Sequence, residues 1–243
     1  MNIVNWSFIT GHQLDTDHPD CIKPLLDSNY YPFVSLSSDI ISERKGITFL
    51  KCPAHTDFLK NTFVFCAPFD LTIDLEINES LDEVQLYCKN VTQDVFESII
   101  DTRFLHNEHR GVSKYPLIGV DWLTVFTANQ PTMIQVLPAF MHRNDFTEKT
   151  MIVPGEYDIH NWTRPIETVF EVRSNTETIV IKKGDAISYV KFLSDDSVKL
   201  VEAITPWSEI SICNNIRNTN RLKSLKERYA SLASVRINKC PHS

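Results

Sequence analysis

Between about Gly46 and Ala203 the apolar positions fall in short stretches of Val, Ile, Phe, Thr and Tyr set apart by turn residues, which is the pattern of many short strands. The stretches are Thr62–Cys66, Leu71–Ile77, Glu83–Cys88, Trp122–Thr127, Thr132–Leu137, Glu167–Val172, Thr178–Ile181, Ala186–Phe192 and Val198–Val201. Leu71–Ile77 alternates strictly, with Thr72, Asp74 and Glu76 on one side, as expected of an antiparallel strand wet on one face. Asn129-Gln130-Pro131 separates two of the runs at hairpin distance. Lys182-Lys183-Gly184-Asp185 joins another pair, with Gly where a positive φ is needed.

Helical periodicity is confined to two places. Val91–His106 fits a helix about as well as a strand. Near the end, Leu222, Leu225, Tyr229 and Leu232 recur at spacings of three and four, drawing one apolar stripe along a helix from roughly Asn215 to Ser234. Strands do not alternate with helices of 10–15 residues, so the expected fold is all-β, an antiparallel β-sandwich or jelly-roll over residues 1–205 with an amphipathic C-terminal helix and tail over 206–243.

The composition changes this picture little. The chain has 243 residues, 42% of them hydrophobic, and only 6 glycines, which disfavours Gly-rich phosphate-binding and linker architectures. No apolar run approaches the length of a membrane span, and Met1–Gly11 lacks the marks of a cleavable leader. The expectation is an intracellular protein away from the membrane, whose Cys21, Cys52, Cys66, Cys88, Cys213 and Cys240 are therefore reduced and mostly buried; they form no C-x-x-C pair of a zinc knuckle or redox dithiol. The sequons at Asn5, Asn78, Asn90 and Asn161 then carry no sugar. Charge is uneven: Arg217, Arg221, Lys223, Lys226, Arg228, Arg236 and Lys239 against Glu227 leave the last 30 residues at +6 and the remainder at −13. Such a tail could dock on an acidic partner surface or attach to nucleic acid.

One arrangement carries a mechanism. His55-Thr56-Asp57 on an extended strand would put an imidazole and a carboxylate on one face, and His160 would complete the 2-His-1-carboxylate triad that holds Fe(II) in oxygenases. Arg173 or Arg164 would then pair with a carboxylate of 2-oxoglutarate. On the plainer reading His55 and Asp57 are surface residues at a strand's start. His106 and His109 flank a Glu but have no further ligand nearby, no G-x-S-x-G elbow is present, and Asp70, Asp74 and Glu76 are accounted for by a solvated strand face. Trp122, Phe126, Trp162, Phe170, Tyr189 and Phe192 are expected in the core.

Five segments in order, His18–Pro24 (HPDCIKP), Cys52–Lys60 (CPAHTDFLK), Phe63–Leu71 (FVFCAPFDL), Tyr157–Pro165 (YDIHNWTRP) and Gly184–Phe192 (GDAISYVKF), resemble a family of uncharacterised all-β proteins found mainly in tailed-phage genomes. The resemblance covers roughly residues 15–200. It implies a viral origin, in the host cytoplasm or the virion, and supplies no catalytic residues. The family pattern commonly has an aromatic or aliphatic residue where His55 stands and keeps the carboxylate at Asp57, which counts against an iron ligand at His55.

Two functions follow as expectations. The first is a non-enzymatic virion component or binding module whose C-terminal helix (Arg217, Arg221, Leu222, Leu225, Arg228, Tyr229) docks on a protein partner or a second copy. The second is an Fe(II)/2-oxoglutarate oxygenase on His55, Asp57 and His160.

Overall fold

The computed structural model describes residues 1–8, 30–43, 52–77, 84–101, 117–160, 165–173 and 176–203. His18–Pro24, Trp162, Arg164 and the whole basic tail with its expected helix lie outside them. In chain order the elements are β1 (Asn2–Phe8), β2 (Phe33–Ser35), α1 (Leu36–Glu43), α2 (Pro53–Leu59), β3 (Thr62–Cys66), β4 (Leu71–Ile77), β5 (Val84–Cys88), α3 (Gln93–Ile99), β6 (Ile100–Asp101), β7 (Leu117–Ala128), β8 (Met133–Pro138), α4 (Asp145–Lys149), β9 (Thr150–Ile152), β10 (Gly155–Asp158), β11 (Pro165–Val172), β12 (Thr178–Ile181), β13 (Ala186–Leu193) and β14 (Val198–Glu202).

The fold is mostly β, and the described residues form three sheets. The first runs β14-β1-β7-β11-β9 with β6 beside β7, the second β10-β8-β13-β3-β2, the third β12-β4-β5. Described pairings are antiparallel except β1 with β14, which is parallel: Asn2 sits opposite Val198, so the first strand closes against the last. The first two sheets share a core made continuous by aromatic rings. Trp6 and Phe126 of the first sheet meet Phe33 of the second at 5.2 Å each, and Phe126 meets Phe192 at 5.7 Å. Each buried ring of this size contributes about 1.5–3 kcal/mol through loss of apolar surface. Leu71, Ile73 and Leu75 of β4 turn into the same core while Glu76 is exposed, as the alternation of that strand predicts. The expected core aromatics that are described, Trp122, Phe126, Phe170, Tyr189 and Phe192, are all buried.

The outer face of the second sheet carries a smaller apolar cluster, and this positions the site below. Val64 and Tyr189 point outward from β3 and β13 and are covered by Leu36 and Ile40, one turn apart on α1, and by Phe58 and Leu59 of α2.

Several local expectations change. Both anticipated hairpins are crossings: Asn129–Pro131 carries the chain from the first sheet to the second, and Lys182–Asp185 from the third to the second, with Gly184 at φ +95 as its position requires. Pro53–Leu59 is helical, because Pro53 at the first helical position is pre-set for the turn and lacks an N–H that the helix would leave unpaired. Gln93–Ile99 is helical too and gives way to β6. Of the described cysteines none is fully buried, and Cys52 is exposed.

Candidate functional site

The triad does not assemble. His55 and Asp57 stand on α2, where residues two apart diverge by about 200° around the axis instead of sharing a face. Asp57 lies in the last turn, and the Lys191 ammonium donates to the carbonyls of Asp57 (3.0 Å) and Phe58 (3.1 Å) while sitting 5.1 Å from the Phe58 ring. Lys191 therefore closes the helix C-terminus, where a cation is favoured. Burial lowers its pKa and the Asp57 charge works against that. His160 lies in the turn after β10. Its N–H donates to Asp158 Oδ1 and its ring Nδ1–H to the carbonyl of Ala128, both at 3.0 Å, so the imidazole joins the ends of β10 and β7. Among the described residues no three His, Cys, Asp or Glu side chains converge to hold a metal ion. The iron-ligand expectation fails on the strand it needed at 55–57.

Arg173, the other expected co-substrate residue, is better placed. It follows β11, its N–H donating to the carbonyl of Lys149, and it lines a cleft of ≈390 Å³ with Arg143, His142, Phe140 and Met151. Ala139, Phe146, Ile152 and Ile187, all buried, also line this cleft. Neither guanidinium has an ion pair or side-chain hydrogen bond among the described residues. Phe140 is 62% exposed and Met151 56%.

One wall of the cleft is held by a chain of hydrogen bonds that the sequence does not announce. Met141 N–H donates to Tyr189 Oη (3.1 Å), Tyr189 Oη pairs with His142 Nδ1 (2.8 Å), and His142 Nε2 with Asp39 Oδ2 (2.7 Å). With neutral imidazole every donor has one acceptor: amide to phenol oxygen, phenol hydrogen to Nδ1, Nε2–H to carboxylate. An Asp–His–hydroxyl relay resembles a nucleophile triad, but Tyr189 is 0% exposed and its oxygen meets no substrate. The relay instead fixes the Ala139–Arg143 turn, which a further bond from His142 N–H to Ala139 O closes at 2.9 Å.

Beside it, burial pushes the Cys66 thiol up to about 12, with Asp39 and Asp185 adding to the effect, so this sulfur is no nucleophile. The cleft's other wall is α4. Asn144 and Thr147 form a reciprocal cap. Asp145 Oδ2 accepts from Val180 N–H of β12 at 2.7 Å.

The local signals for this site were present: Asn-x-x-Thr before a short helix, and Asp145 four residues before Lys149. Asp39, Tyr189 and Arg173 come from distant strands and helices, so no spacing marks their convergence. Asp70 and Asp74, expected on a solvated strand face, hold the fold: Asp70 accepts from Lys183 N–H, and Asp74 pairs with Lys89 at 2.7 Å and accepts from Thr178. No protein-family model, curated protein or solved structure matches the chain. No described helix is long and apolar enough to cross a membrane.

Proposed function

We propose that this protein is a non-enzymatic binding module on a jelly-roll-like sandwich, of the virion or assembly kind that the phage-family resemblance implies. It acts on a protein partner or on a second copy, in the host cytoplasm or the virion. The observation that carries the reading is the cleft, where exposed Phe140 and Met151 stand with two arginines that have no ion pair among the described residues. Aromatic, methionine and arginine side chains in one patch are the mark of a contact surface. The basic tail, read as a helix bearing Arg217, Arg221, Leu222, Leu225, Arg228 and Tyr229, supplies a second docking element of opposite charge to the acidic body, with nucleic acid its less favoured target.

Light scattering and partner capture on the full chain and on a chain lacking residues 214–243 test the docking role. Loss of association in the shortened chain is expected. Equal behaviour of both chains removes the tail from the reading. Stoichiometric iron with 2-oxoglutarate turnover, lost in His55→Ala and Asp57→Ala, would overturn the module reading altogether.

A further inference from the structure

The geometry points to the occupant of the cleft: an acidic segment of a partner protein, presenting one carboxylate side chain to Arg143 and Arg173 and an apolar neighbour to the exposed Phe140 and Met151. This rests on the binding-module reading and gives it a chemistry. The cleft carries two guanidinium groups, from the turn after β8 and from the end of β11, and neither is neutralised among the described residues. A planar guanidinium matches a carboxylate with two parallel hydrogen bonds, which a lysine cannot do. Glu148 also lines the cleft. Two cations with one anion leave room for a single negative charge and disfavour a polyanion.

Beside the arginines stand the exposed side chains of Phe140 and Met151, backed by the buried Phe146 and Ile187, so a bare anion would leave the apolar part of the cleft unused. A ligand that fills it has a charge and a hydrocarbon group a few ångströms apart, as successive side chains of a peptide do. The Asp39–His142–Tyr189 relay holds the turn bearing Arg143 and Phe140 before the partner arrives, which limits the ordering cost of binding.

Calorimetric titration of the full chain with acetyl-Leu-Glu-Phe-amide tests the proposal. Binding tighter than about 1 mM is expected, weakening as sodium chloride is raised. The Gln counterpart of the peptide and the Arg143→Ala/Arg173→Ala double variant should each weaken it by at least about tenfold. Both arginines are exposed, so the variant should melt with the wild type. Equal binding of the Glu and Gln peptides, unchanged binding to the double variant, or no binding at millimolar peptide overturns the proposal. Sodium acetate or phosphate binding as tightly as the peptide also overturns it, in favour of a free-anion site. In each of these cases association through the tail would still stand or fall on the deletion experiment.

Discussion

Replacing Asn61 by Gly, Ala and Asp separates a backbone requirement from a hydrogen-bond requirement at one residue. Asn61 joins α2 to β3 with φ +56, in the left-handed region. Its side-chain amide donates to the carbonyls of Ser194 (2.9 Å) and Asp196 (2.8 Å), and its Oδ1 accepts from Val198 N–H (2.8 Å). The residue thus ties the start of β3 to the turn that delivers β14 to β1. Three such bonds, partly solvated, are together worth about 1.5–3 kcal/mol net. Gly keeps the left-handed backbone without strain, so Asn61→Gly should lose about that amount. Ala loses the bonds and adds about 1 kcal/mol for a Cβ in the left-handed region. Asp keeps acceptance from Val198 but sets a carboxylate oxygen against two carbonyls, so it should fare worse than Gly. Urea unfolding followed by the fluorescence of the buried Trp6 and Trp122 measures each difference, provided the denaturant slopes agree. Ala and Gly variants of equal stability would refute the backbone argument. A Gly variant as stable as the wild type would refute the hydrogen bonds.

Tyr189→Phe removes the oxygen that accepts from the part-buried Met141 N–H and bonds His142 Nδ1, and should cost about 1–2 kcal/mol; Asp39→Asn, whose amide oxygen can still accept from His142, should cost less than Asp39→Ala in the same assay. Alkylation at neutral pH with peptide mapping should mark exposed Cys52 early and spare Cys66, whose thiol sits near 12; early Cys66 labelling of folded protein would contradict its burial. Burial works to raise the Asp145 pKa, but the Lys149 ammonium and Val180 N–H outweigh it and hold the carboxyl below its ordinary 3.8. That stabilisation is complete above the unfolded value and is lost as pH falls through the lower folded one. The stability gap between wild type and Asp145→Asn should therefore be flat near neutrality and narrow below about pH 4; a gap that widens on acidification would reverse the sign.

What the sequence determined by itself was local. Short stretches rich in Val, Ile, Phe, Thr and Tyr between turn residues located nine strands to within a few residues, and at Leu71–Ile77 the strict alternation also gave the buried face, because burying one face of a pleated strand imposes it. Gly184 marked a left-handed backbone for the same kind of reason. Short elements with no room for a period escaped: β2, β9 and α4 are three to five residues long. At 53–59 the proline signal for a helix start lay within a stretch read as extended.

Tertiary structure decided the rest. Turn residues bend the chain but do not say whether the flanking strands pair, so two apparent hairpins became crossings between sheets. The candidate site shows the same division more sharply. His55 and Asp57 stand two apart in sequence and are parted by a helix. His142, Arg143 and Arg173 were brought to one cleft by strand register, and Asp39 and Tyr189 to the hydrogen bonds behind its wall by α1 lying over the outer face of a sheet. Local periodicity encodes which face of an element is buried; which elements meet across that face depends on long-range packing, and the candidate cleft was assembled there.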